Sequence, residues 1–429
     1  MKKVASFLLS ALLLAACGTD RSETLKVYNW SNYIDETVLP EFEQWYEAQT
    51  GERINVIYQT FDINETMLAK IEKGHEDFDV VCPSDYIIER MLNSGILLPL
   101  DFASLPDSIN YIRNNRSPYV ESTFARINPD IDANDYSVAF MWGTTGILYN
   151  AAFVTDEEAS SVEVLRNPKF AGRIFIKDAP RDVFGPIIIH LRQDALTSGR
   201  TTIDDLMRDP SDAAVSDVEA YMKQVKELVA GWEADFGKEQ MTQERGYVSL
   251  NWSGDAVWAI EEASGIGVDL RYVVPSEGSN VWFDGWVIPK YSQNVKAATY
   301  FIDFMCRPDI AIRNMEVTGY VSANGDISVL ESQIDESFEP IDVSYFFPGE
   351  DSVRINPVLY PDKATIANCE LMHDWGNDTD KLISMWSRIK GDNANLSTIV
   401  IIALALAALV CFVVVRKSGS RKKHRSSRR

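Results

Sequence analysis

Between residues 25 and 82 strand and helix patterns alternate through five elements, and this alternation restricts the fold more than any other feature of the chain. Leu25 to Trp30 reads as a strand. Asp35 to Thr50 then places Val38, Leu39, Phe42, Trp45 and Tyr46 at three- and four-residue spacing before Gly51, the pattern of a helix with a stop. Ile54 to Phe61 is a second strand, Asn64 caps a helix running through Met67, Leu68 and Ile71 to Gly74, and Phe78 to Cys82 is a third strand. A βαβαβ order builds a mostly parallel sheet covered by helices, with ligands held beyond the carboxyl ends of the strands. Trp30 and Ser84 are expected at that edge.

The alternation resumes further on. Val138 to Tyr149, with Gly143 and Gly146 inside it, reads as a strand crossing between lobes. Ile174 to Lys177 is a strand, Asp182 to Leu191 and Val215 to Ala230 are helices, Val248 to Asn251 is a strand and Asp255 to Ala263 a helix. Val281 to Pro289 is strand-like and precedes a helix from Asn294 to Cys306 that Pro308 ends. Residues 24 to 390 contain no internal repeat or long low-complexity linker, and 429 residues are about three times the usual domain length. Two α/β lobes that exchange strands are therefore expected.

Both ends carry targeting patterns. Lys2 and Lys3 precede the apolar stretch Val4 to Ala16 and then Cys17, the layout of a secretory signal. Leu14, Ala15, Ala16 and Cys17 resemble the bacterial lipobox, in which the peptide is cut before a cysteine that carries diacylglycerol. Thr398 to Val415 is an uncharged run of 18 residues, and as a helix it spans about 27 Å, roughly a hydrocarbon core. The tail Arg416 to Arg429 holds eight Lys or Arg and no acid, which puts it on the cytoplasmic side and the body outside. A helix crossing the membrane at 398–415 is thus expected, tethering an extracytoplasmic domain.

The net charge of −22 understates the acidity of that body. With Lys2, Lys3 and the eight basic residues of the tail set aside, 31 basic side chains face 63 acidic ones, a net of −32. Such a surface argues against binding nucleic acid and favours attracting cations, although acidity also serves simply to keep an exported domain soluble. Cys82, Cys306 and Cys369 form no CxxC or His-Cys spacing, which argues against zinc and leaves one disulfide open. No P-loop, GxSxG, HExxH or dinucleotide fingerprint occurs, so no cofactor or metal is expected.

Aromatic residues recur beside acids and hydroxyls at the expected strand ends: Tyr28-Asn29-Trp30-Ser31-Asn32-Tyr33, Pro83-Ser84-Asp85-Tyr86, Asn251-Trp252-Ser253-Gly254-Asp255 and Val281-Trp282-Phe283-Asp284-Gly285-Trp286. Taken singly, a Trp is more often core than ligand wall, and Asp85 suits the N-cap of a helix from Tyr86 to Leu92. Together, indoles and carboxylates make a box for an alkyl ammonium: ring faces attract cations by about 0.5–2 kcal/mol each, and a carboxylate offsets the cost of taking an ammonium out of water. A glycosidase dyad built on Asp182 and Asp284 is the alternative chemistry for acids among indoles.

These clusters resemble those of the bacterial spermidine/putrescine-binding proteins, the extracytoplasmic receptors of polyamine ABC transporters. The likeness covers roughly residues 25 to 385 and includes Asn64-Glu65-Thr66-Met67, Trp142-Gly143-Thr144, Arg181-Asp182-Val183-Phe184, Arg307-Pro308-Asp309, Thr318-Gly319-Tyr320 and Leu359-Tyr360-Pro361-Asp362. It implies a two-lobed, type II periplasmic-binding fold. The first lobe would take 24–141 and about 281–330, the second 142–280 and about 331–390, after a signal at 1–16 and a lipidated linker at 17–23. It also implies site roles: Trp30, Tyr33, Trp252, Trp282 and Tyr320 as walls, Ser31, Ser84 and Tyr86 as polar contacts, and Asp182, Asp255 and Asp284 on the ammoniums. Ala179 and Asp255 match the putrescine-type pattern, whereas Tyr86 is nearer the spermidine type. Asp182 is a methylene shorter than the Glu of many members, and Met372 stands where many use Gln.

The reading is a non-enzymatic receptor that closes on a polyamine and delivers it to a permease driven by an ATPase. A membrane-tethered sensor and a carbohydrate hydrolase are the alternatives.

Overall fold

Strand β1 (Thr24–Trp30) is buried along nearly its whole length, as expected of a strand with helices on both sides. In the computed structural model, which describes residues 21–233 and 236–391, it pairs in parallel with β2 (Asn55–Phe61) and β3 (Val80–Val81). Helix α1 (Val38–Thr50) turns Val38, Phe42 and Tyr46 inward and stops where Gly51 adopts the left-handed conformation at φ 73°. Two expected caps are corrected. Asn64 lies inside α2 (Asn64–Glu72), where its amide turns to Ser84 and Tyr86 instead of to its own helix. Asp85 lies inside α3 (Asp85–Asn93), and its carboxylate accepts the backbone N–H groups of Tyr86 at 2.6 Å and Phe283 at 3.0 Å.

The long strand β4 (Ser137–Asn150) leads into β5 (Ile174–Lys177), α4 (Pro180–Leu191) and α5 (Asp212–Lys226). Helix α5 is shorter than expected. Val215, Val218, Met222 and Val225 carry its buried stripe, and Val229 already begins β6 (Val229–Glu233) beside β5. Strand β7 (Val248–Trp252), α6 (Ser253–Ser264), β8 (Leu270–Val273) and β9 (Ser279–Val287) follow. After these come α7 (Val295–Met305), α8 (Pro308–Thr318), β10 (Val321–Ser322) and finally α9 (Thr379–Lys390).

Among the described residues these ten strands and the short strand Cys369–Glu370, which pairs with β9, join in one eleven-stranded sheet whose main path runs β2-β1-β3-β9-β4-β7-β5-β6. Its centre is an antiparallel pair, β4 against β9, registered from Ser137 opposite Val287 to Thr144 opposite Val281. Beyond that point β4 changes partners and pairs with β7 and β8. Strand β4 is therefore shared between two half-sheets. Buried clusters cover both faces of the first half, with Met67, Ile88, Trp142 and Phe283 in one and Phe42, Phe140, Trp286 and Phe301 in the other. Ile147, Ile176, Phe184, Leu250 and Trp386 fill the second lobe. Within 331–390 the buried side chains divide. Val343, Phe346, Ile355 and Tyr360 join the first lobe, while Met372, Trp375, Leu382 and Ile389 join the second.

The transmembrane helix is withdrawn from the expected fold. Residues 398–415 lie outside the described residues, and among those no helix is long and apolar enough to cross a membrane. Cys17 also lies outside them. Cys82, Cys306 and Cys369 are free thiols, which closes the disulfide left open by the sequence.

Candidate functional site

The carboxyl ends of β1, β5 and β7 and the middle of β9 meet where the half-sheets join. Trp30 ends β1, Lys177 ends β5, Trp252 ends β7, and Trp282 and Asp284 lie on β9. Helix starts deliver the remaining groups: Ser84 caps α3, while Asp182 and Asp255 lie in the first turns of α4 and α6.

Four rings run in series, with centroids 5.3 Å apart for Tyr33 and Tyr320, 5.7 Å for Tyr320 and Trp282, and 6.5 Å for Trp282 and Trp252. Two glycines permit this packing. A Cβ on Gly143 would stand 2.6 Å from the Trp282 ring, and one on Gly254 would stand 2.3 Å from the Tyr320 ring. Any side chain at either position would push the wall apart.

Asp284 is 6% exposed. Its Oδ2 accepts the Tyr33 hydroxyl at 2.7 Å and its Oδ1 the Ser84 hydroxyl at 2.6 Å. The buried Trp30 indole N–H is turned to the same carboxylate. Burial first, and then the nearby charge of Asp182, raise the Asp284 carboxyl to about 6, against the hydrogen bonds that favour its charged form. Asp182 is partly exposed and accepts the Asn280 amide at 2.9 Å. Burial raises it too to about 6, against Asn280, the facing Trp252 indole and the charges of Lys177 and Arg181. Neither carboxylate is in an ion pair among the described residues, so the two share a deficit of positive charge.

Asp255 differs, contrary to the expectation that it waits for an ammonium. Lys177 Nζ donates to its Oδ2, Lys238 Nζ stands 3.5 Å from its Oδ1, and the Tyr320 hydroxyl donates to Oδ1 at 3.0 Å. Burial pushes this carboxyl up, but Lys177 and then Lys238 outweigh it and hold the group below the usual carboxylate value. The Lys177 side chain is 1% exposed. It also lies 3.3 Å from Glu233 Oε1, and its ammonium sits 4.3 Å over the Trp252 ring.

Two other expected contacts also look elsewhere. Ser31 is exposed and donates to Asp62 at 2.9 Å. Tyr86 accepts the Asn64 amide at 3.0 Å and carries the Arg181 guanidinium 4.2 Å over its ring, a contact that joins α3 to α4 across the two lobes. An open cavity lined by Glu65, Tyr86, Arg90, Arg181 and Asp374 adjoins this contact. It does not reach Asp182 or Asp284. Sequence reasoning missed Lys177, Asn280, Arg181 and the role of Asn64. Lys177 left a trace as the one charge in the otherwise apolar strand Ile174-Phe175-Ile176-Lys177, and Asn64 and Arg181 stand in the motifs Asn64-Glu65-Thr66-Met67 and Arg181-Asp182-Val183-Phe184. Among the described residues no group of His, Cys, Asp and Glu is arranged to hold a metal ion.

Two lobes joined by shared strands, with unpaired carboxylates and stacked rings at their junction, define a receptor of the periplasmic-binding type that grips a small solute. Comparison with known proteins gives the same answer. The model of the bacterial extracellular solute-binding proteins matches residues 42–335. The spermidine/putrescine-binding periplasmic protein of Escherichia coli is 30% identical over 391 residues, which cover 88% of this chain and 95% of that protein. A putrescine-binding periplasmic protein of the same species is 28% identical, covering 84% and 90%. The solved spermidine/putrescine ABC transporter substrate-binding protein from Streptococcus pneumoniae superposes with a TM-score of 0.63 at 28% identity, covering 86% of this chain and 100% of that one. The chain belongs to the bacterial extracellular solute-binding proteins. It serves outside the cytoplasm in solute transport, not as an enzyme, so the hydrolase alternative falls.

Proposed function

We propose that this protein binds a polyamine of the putrescine/spermidine class outside the cytoplasm and delivers it to the permease of an ABC transporter. The observation that carries this reading is the pair Asp182 and Asp284: two carboxylates with proton affinities raised to about 6, no cation of their own, and a lining of indoles and phenols. An organic cation supplies the missing charge, and its methylenes bury against Trp30, Trp282 and Tyr320. Hinge motion of β4 and β9 would admit the ligand, with Trp30, Tyr33 and Ser84 on one lobe and Asp182 and Trp252 on the other. The names of the relatives point to the same ligands.

Calorimetric titration of the full-length protein with putrescine, spermidine and a panel of neutral sugars tests this. Saturable binding of at least one amine and of no sugar is expected; sugar binding without amine binding overturns it. The lipobox-like Leu14-Ala15-Ala16-Cys17 supports a lipid anchor on Cys17 after removal of residues 1–16. Metabolic labelling with an alkynyl fatty acid should mark the wild type and not Cys17→Ser.

A further inference from the structure

The Asp255 end of the junction has every part of an ammonium site, and one of the chain's own side chains occupies it. Asp255 and Glu233 supply two buried carboxylates, Trp252 an indole face at 4.3 Å and Tyr320 a hydroxyl on Asp255. Lys177 Nζ lies among them, hydrogen-bonded to Asp255 and 3.3 Å from Glu233. This is the environment in which a desolvated alkyl ammonium is stable, because opposite charge and a ring face replace its water. Trp252 borders both halves of the junction. Its indole faces Asp182, while its ring face is taken by Lys177.

We propose that Lys177 is a specificity-determining residue, a built-in cation that fills the Asp255 position so that the receptor takes a dication across Asp182 and Asp284 and discriminates against a longer triamine. The inference rests on the polyamine reading above and extends it to ligand length. Two unpaired carboxylates remain for two ammoniums. A third ammonium reaching past Trp252 meets the buried Lys177 instead of a free acid, and like charges at such a distance repel strongly where water is excluded. Lys238 beside Asp255 adds to that repulsion.

The experiment is calorimetric titration of the full-length protein with putrescine and spermidine, for the wild type and for Lys177→Met and Lys177→Arg, with thermal melting to follow the fold. The wild type should bind putrescine more tightly than spermidine. Lys177→Met, which removes the closer of the two lysines on Asp255, should move the spermidine-to-putrescine affinity ratio by about tenfold or more toward spermidine. Lys177→Arg, which keeps the cation, should preserve the wild-type order. A wild type that prefers spermidine, or a Lys177→Met protein that binds amines with an unchanged ratio, overturns the inference and leaves the polyamine reading standing. A wild type that binds neither amine defeats that reading itself.

Lys177→Met leaves Asp255 and Glu233 without their main partner, so the triple variant Lys177→Met/Asp255→Asn/Glu233→Gln decides the matter if the single variant does not fold. With both carboxylates at that end neutralised it should retain the putrescine-over-spermidine order. A reversed order there overturns the inference.

Discussion

Asp284 and Asp255 are equally hidden from water, at 6% and 5% exposure, yet burial leaves them in opposite states. Asp284 has hydroxyl partners but no cation, and its proton affinity rises. Asp255 has Lys177 and Lys238, and its proton affinity falls. Hydroxyls satisfy the hydrogen-bonding capacity of a carboxylate without removing the cost of its charge, whereas an ammonium does both. One end of the junction therefore calls for a cation from outside, and the other is already complete as structure. On the proposed reading, a carboxylate lined by indoles serves a ligand only where the fold has left its charge unanswered.

The comparison can be broken most sharply by removing each acid in turn. Asp255→Asn strands Lys177 with Glu233 alone and should destabilise the fold by about 3–5 kcal/mol, measured by chemical denaturation; a loss below about 1 kcal/mol would show that Lys177 does not depend on this partner. Asp284→Asn should do the opposite. It should leave stability at pH 7 unchanged or raised while weakening putrescine binding by about 2–4 kcal/mol, as expected on removing one partner of a buried charge pair. Calorimetry that returned wild-type affinity would take Asp284 out of the site. Trp252→Ala removes both the indole that faces Asp182 and the ring under Lys177, and should weaken putrescine binding by about 1–2 kcal/mol.

Acidity sharpens the contrast. Asp182 and Asp284 have folded-state values of about 6, above the ordinary 3.8. Protonation between those values costs the unliganded fold nothing. The two groups contribute stability that is fully present below about pH 3.8 and lost as pH rises through about 6. Cation affinity runs the other way, falling below about pH 6 by up to tenfold per pH unit for each carboxylate that must deprotonate. Titrations at pH 5, 6 and 7 in constant salt check both signs; affinity flat across that range would place the ligand's charge elsewhere.

The sequence made the elements legible wherever a local period governs them. Three- and four-residue spacing placed α1, and continuous apolar runs placed β1, β4 and β9, because each pattern reports the face a segment buries. Caps were less legible. Asn64 and Asp85 have the residue types for capping, but each is claimed by a partner far along the chain: Ser84 and Tyr86 in one case and the Phe283 backbone in the other. The same limit applies at the site. Aromatic and acidic clusters showed which strand ends converge, since such residues are conspicuous locally. The pairing of Lys177 with Asp255, 78 positions apart, depends on β5 lying parallel to β7, and strand order is a tertiary fact with no local trace.

Strand β9 touches both lobes, since Asn280 near its start donates to Asp182 on α4 and Val287 at its end pairs with Val81 on β3. Trp282 and Asp284 lie between those two contacts, close to the line where the lobes meet. A cation held there, as the proposed function has it, would travel little when the jaws part and would be left uncovered on the pivot.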